Sequence, residues 1–294
     1  MSERQFMILI DPDHLLDPAR KAPPSPEQYT LAVRRVVLNI AETQTGQIVL
    51  KTLRLWNKFV RISPTPLVPG MCMGADAVQG EIKDWQFNTV GRRFLQMFGV
   101  NVSAIRAVIH FEPTMWASGG ACHKKHSDKL VSDFTPSLEE VLFHELVHAV
   151  RWVSDTLKLG EHATFGLSHY DNKEEFIAVV VTNIFQSELN KALRQGHTGF
   201  KTLDDQLKNS FEFYRSSTLT YDYMEHFCRT NPHFSKRLCK VNVPFNPVHA
   251  FYHDRKRCRD MSLSPHAYVR DGAAVLKTLT PWAQNVWKSV LLIP

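Results

Sequence analysis

Thr135 to Leu157 reads TPSLEEVLFHELVHAVRWVSDTL, and at its centre stand His144-Glu145-Leu146-Val147-His148. In an α-helix, residues four apart lie about 40° from eclipsed, so these two imidazoles leave one face and can grip a single metal ion. The flanking residues favour a helix. Thr135 or Ser137 can cap its N-terminus, Pro136 suits the first turn, and Ser137 with Glu140 spells a capping box. Leu142, Leu146, Ala149, Val150, Val153 and Leu157 recur at helical spacing, with Leu142 about 200° around the helix from His144. That stripe faces a core, and the histidine face is left to line a cleft.

Neutral imidazole nitrogens are good zinc ligands, whereas Glu145 points off the ligand axis and is free to take a proton from water activated by the metal. Two histidines and a water leave tetrahedral zinc one protein ligand short. A metzincin would supply a glycine and a third histidine shortly after His148, but Arg151 and Ser154 stand there. A glutamate from the next helix is the alternative. Asp171 or Asn172 can cap that helix, Phe176, Ile177, Val179, Val180, Val181, Ile184 and Phe185 make it a buried one, and Glu174 and Glu175 occupy its first turn. Both glutamates also suit the helix dipole, so spacing leaves the choice between them open. A donor for a developing oxyanion is needed as well; Tyr170 is the candidate, with His169 and His162 as alternatives.

The 294 residues, 44% of them hydrophobic, are enough for a sizeable core. No run approaches a membrane span. Arg4 precedes only a short apolar segment that Asp11 and Pro12 interrupt, which does not read as a signal peptide. Cys72, Cys122, Cys228, Cys239 and Cys258 are scattered and odd in number, which favours reduced thiols in a cytoplasm over a disulfide framework. Met71-Cys72-Met73 and the Cys122/His126 pair read as packing rather than as further metal sites, because Lys124 and Lys125 oppose a cation beside the second. The net charge is +6, and basic residues cluster only at Arg255-Lys256-Arg257-Cys258-Arg259. Without interleaved aromatics that run reads as a solvated surface rather than a nucleic-acid footprint.

Outward from the motif, strands are expected at Phe6 to Ile10, Phe59 to Ile62 and Ala104 to Phe111, and helices at Glu27 to Ala41 and Gly46 to Trp56. Asp11 to Pro26, Pro64 to Gly80 and Glu112 to Phe134 read as loops. The strand Ala104 to Phe111, close to the motif helix, is expected to hold an extended peptide by edge pairing. Beyond Glu188, helical spacing recurs at Leu203 to Tyr214, Thr220 to Cys228 and Ala273 to Val290, with a loop-rich part from Asn242 to Pro247. The fold class expected is α+β, mainly helical with a small sheet. Residues 1–190 would form the motif-bearing domain and 191–294 a helical extension packed on it.

LFHELVHAVR together with YDNKEEFIAV resembles the gluzincin arrangement and is most similar to the NleD-like family of bacterial effector metallopeptidases. The resemblance covers roughly residues 100–190, and only the HExxH part is highly specific. It implies a zincin-like core and a zinc endopeptidase. In that family's pattern the third ligand opens an E-x-x-A segment, here Glu175-Phe176-Ile177-Ala178, so His144, His148 and Glu175 would be ligands and Glu145 the general base. It further implies a protein substrate inside a target cell, reached from the cytoplasm through a specialised secretion system. The rivals are a structural zinc site closed by four protein ligands, with no proteolysis, and a basic nucleic-acid-binding protein using residues 255–259.

Overall fold

The computed structural model describes residues 7–12, 25–56, 58–65, 71–72, 74–79, 105–156, 169–197 and 199–260. In chain order the elements are β1 (Ile8–Ile10), α1 (Pro26–Ala41), α2 (Gln44–Leu55), β2 (Phe59–Ser63), β3 (Asp76–Gln79), β4 (Ile105–His110), α3 (Pro113–Trp116), α4 (Ala121–Ser127), α5 (Leu138–Val153), α6 (Lys173–Glu188), α7 (Ser210–Arg215), α8 (Thr218–Thr230), α9 (Pro232–Leu238) and α10 (Pro247–Asp260). Helices and a small mixed sheet make this an α+β protein, as the sequence predicts.

The strand order is β1-β2-β4-β3, with β1, β2 and β4 parallel and β3 antiparallel to β4. Parallel neighbours need a crossover, and α1 with α2 supplies it between β1 and β2. Ser25 opens α1 with a capping box to Gln28, and Tyr29, Val33, Val36, Val37 and Ile40 form its buried face. The Tyr29 hydroxyl donates to the Phe111 carbonyl at 3.0 Å, fastening α1 to the end of β4. At the handover from α1 to α2, a Cβ on Gly46 would lie 1.8 Å from the Ile40 carbonyl oxygen, so only glycine fits there.

Four expectations need correction. Residues 76–79, expected within a loop, form β3; DAVQ is too short for periodicity to reveal, and pairing to β4 makes it a strand. Because β2 and β3 occupy both edges of β4, that strand cannot take a peptide by edge pairing. The stretch 112–134 holds α3 and α4 rather than loop alone. The helix expected over 203–214 is broken: a 3₁₀ turn at Asp205–Lys208 precedes Asn209, whose Oδ1 accepts from the Phe211 and Glu212 amides and starts α7 afresh.

Nor are all the described cysteines thiols. Cys72 and Cys122 are disulfide-bonded, joining the approach to β3 to α4 with Cα atoms 4.5 Å apart, whereas Cys228 and Cys239 are free. Fifty residues of separation hide this pairing in the sequence. His126 is buried, stacked on Trp116 at 5.7 Å, with Nδ1 2.7 Å from Ser132 Oγ; it forms no ligand pair with the bridged Cys122.

Residues beyond 190 join the same buried cluster as the sheet and α5 through Phe213, Tyr214, Phe227, Phe245 and Phe251. Arg215 pairs with Asp254, tying α7 to α10. In the basic run, Arg255 lies over the Phe251 ring and 3.8 Å from Glu225. Among the described residues, no helix is long and apolar enough to cross a membrane. The helix expected at 273–290, His162, Met73 and the side chains of 257–259 lie outside the described residues.

Candidate metal centre

Ser137 caps α5, its Oγ accepting from the Glu140 amide at 3.2 Å. The expected capping box is half made, because the Glu140 side chain turns inward, where burial pushes its carboxyl up to about 7 against the pull of Arg194 and Lys191. From this start the register places His144 and His148 one turn apart, their rings meeting edge to face at 4.9 Å. Phe143 stacks on Phe185 at 4.2 Å and holds α5 against α6. Asn172 caps α6 by accepting from the Glu175 amide at 2.9 Å, which fixes the first turn opposite the histidines.

Three donor atoms then close a triangle. Glu175 Oε2 lies 3.1 Å from His144 Nε2 and 3.3 Å from His148 Nε2, and the two Nε2 atoms are 3.3 Å apart. Zinc bonds of about 2.0–2.1 Å to nitrogen and oxygen set tetrahedral ligand atoms about 3.3 Å apart, so this donor set fits one small cation. His144 and His148 are 3% and 7% exposed. Burial, with Arg194 and His148 adding, pushes His144 down to about 3 despite the hydrogen bond to Glu175. Burial also works to lower His148, but the hydrogen bond and charge of Glu175 outweigh it and raise it. Burial alone would raise Glu175; the two imidazoles instead hold it well below the ordinary carboxylate range.

Glu174 points elsewhere. Its carboxylate forms a two-point pair with the fully buried Arg151 guanidinium, Nη2 donating to Oε1 at 2.6 Å and Nε to Oε2. Successive helical positions diverge by about 100°, so only one of two adjacent glutamates can face the imidazoles. Glu145 is 7% exposed, and burial, reinforced by Glu175 and Asp76, pushes its carboxyl up to about 7.

A fourth group was not expected. His197 Nε2 lies 3.4 Å from Glu175 Oε2, its ring stacks on His144 at 5.7 Å and 10°, and its Nδ1 is 2.5 Å from Asp171 Oδ2. Donor atoms of His144, Glu175 and His197 all lie within 4.8 Å of one another, so this cluster can also hold a metal ion. Nothing periodic marks His197 in QGHTG; tertiary contacts place it. Its amide donates to the His169 carbonyl at 2.8 Å, and a Cβ on Gly196 would meet that oxygen at 2.4 Å, a close approach that requires glycine. Buried Arg194 donates from Nε to Gly196 O and from Nη2 to His197 O, and exchanges backbone hydrogen bonds with the Asn183 amide side chain.

Tyr170, expected as an oxyanion donor, is buried, and its hydroxyl donates to the Gln195 carbonyl at 2.8 Å. That proton is therefore committed to the loop carrying His197, and burial raises its pKa above the usual phenol range. Tyr170→Phe is expected to cost about 1 kcal/mol of stability, the net worth of one hydrogen bond, and to leave metal content unchanged. Thermal unfolding and metal analysis check this. Of the alternatives, His169 serves the site through its backbone carbonyl. Because His197 completes the cluster, the site spans the expected boundary at residue 190. Comparison of the chain with protein-family models, with curated proteins and with solved structures finds no match in any of the three.

Proposed function

We propose that the protein is a zinc-dependent endopeptidase with a zincin-like core of the gluzincin type, most similar to the NleD-like effector peptidases. The observation that carries this is the closed triangle of His144, His148 and Glu175, 3.1–3.3 Å on each side, with the buried Glu145 carboxyl in the same helical turn. His144, His148 and Glu175 hold the metal. A bound zinc ion supplies Lewis acidity, acidifying water and polarising a peptide carbonyl. Glu145 takes the proton of the attacking water and passes it to the leaving amine, a task suited to a buried carboxyl in the same helical turn as the ligands.

The sheet supports the same reading. β3 packs beside α5, and among the described residues its outer edge pairs with no strand, so an extended substrate can add to it through main-chain hydrogen bonds. The substrate is a protein, reached in a target cell after export from the cytoplasm; this part of the proposal rests on the resemblance of the motif run alone.

Metal analysis of Glu175→Ala beside Glu174→Ala tests the ligand set. Glu175→Ala is expected to lose the bound zinc and Glu174→Ala to retain it in whatever fraction remains folded. Loss of zinc from the second variant alone would overturn the assignment. A structural zinc site is the second reading: His197 brings a further donor within 3.4 Å of Glu175 Oε2, and a site closed by four protein ligands would leave no place for water.

A further inference from the structure

The three donors of the triangle and His197 differ in what it would cost to move them. His144 and His148 stand on a helix that is buried almost throughout its length, and Glu175 belongs to a turn pinned by the Asn172 cap. The His197 side chain is 35% exposed, and that of its partner Asp171 is 57% exposed. Its backbone is fixed on both sides, the amide by His169 O and the carbonyl by Arg194. What can move there is the imidazole, by rotation into solvent, and the packing it gives up is its stack on the His144 ring.

The contact with Asp171 also orients the ring. With Nδ1 on the Asp171 carboxylate, Nε2 is turned toward the donor triangle, the disposition of a metal-binding histidine aimed by an outer carboxylate. Nε2 lies 3.4 Å from Glu175 Oε2, the spacing expected between two ligands of one tetrahedral ion. Resting on the metal-site reading above, we propose that His197 is a displaceable fourth ligand: held by Asp171, it closes the metal site in the resting protein and swings out to admit the substrate and its water. A peptidase built this way has the coordination of a structural zinc site until a competing ligand lifts the imidazole.

The test uses the full chain loaded with cobalt(II) for its visible absorption, acetohydroxamate as a competing bidentate ligand, and X-ray absorption of the zinc form to count imidazoles. If the latch is closed about nine-tenths of the time, the apparent affinity of wild type for acetohydroxamate is about tenfold weaker than that of an open site. His197→Ala and His197→Phe are both expected to bind it about tenfold more tightly and to show one imidazole fewer at zinc. The phenylalanine variant keeps a ring to stack on His144 but offers no lone pair, which separates lost coordination from lost packing. Equal imidazole counts and equal hydroxamate affinities in wild type and both variants would overturn the latch and leave the metal site standing. A wild type that takes up neither cobalt nor zinc would overturn the metal site and the latch together.

Discussion

Glu145→Gln is expected to retain zinc and the folded structure while lowering hydrolysis of protein substrates by about 10²–10⁴-fold, the usual contribution of a positioned general acid or base. The substitution is nearly isosteric, and burial raises the native carboxyl in the direction that favours a neutral group at this position. Glu145 lies outside the donor triangle, which leaves metal binding intact. The measurements are metal content, thermal unfolding and peptide mapping of an unfolded protein substrate such as casein. Cleavage by the variant at the wild-type rate would remove Glu145 from the mechanism. If wild type and variant are equally inert towards a broad set of proteins while both hold zinc, the structural reading stands instead. Displacement of His197 by hydroxamate would still register the latch in either case.

Glu174→Ala is expected to cost about 3–5 kcal/mol of folding stability, because it strands the Arg151 guanidinium, which is fully buried, without its carboxylate partner. Desolvating an ion is tolerable only while its partner is present; removing one member exposes the whole penalty. Replacing both members with apolar residues, Arg151→Met with Glu174→Leu, is expected to recover most of the loss. Chemical denaturation of the two variants beside wild type measures this. A single variant within about 1 kcal/mol of wild type would mean that the buried pair contributes little. The pair matters to the site as well, since it holds Glu174 on the Arg151 side of α6 while Glu175 faces the histidines.

Hydrogen bonds between near neighbours govern what was legible in the sequence. Ser137, His144 and His148 lie within one helix whose period is fixed by its own backbone, so their common face follows from spacing alone. The same holds for the Asn172 cap of α6 and for the buried stripe of α1, where each choice is local. These readings placed the two imidazoles and the helix bearing the acidic pair. They could not tell Glu174 from Glu175 by spacing, because both stand in one turn. The difference is made by Arg151, buried on another helix, which takes one carboxylate and leaves the other to the histidines.

His197, the pairing of β3 with β4, the Cys72–Cys122 bridge and the use of the Tyr170 hydroxyl belong to tertiary structure alone. Each depends on segments far apart in the chain, brought together by burial of a common core, and neither helical nor strand periodicity reports which distant surfaces will meet. The sequence by itself determined a helix that can hold half a metal site; the packing of α6 and the 194–197 loop against it decided which other donors, Glu175 and His197, are brought to that helix.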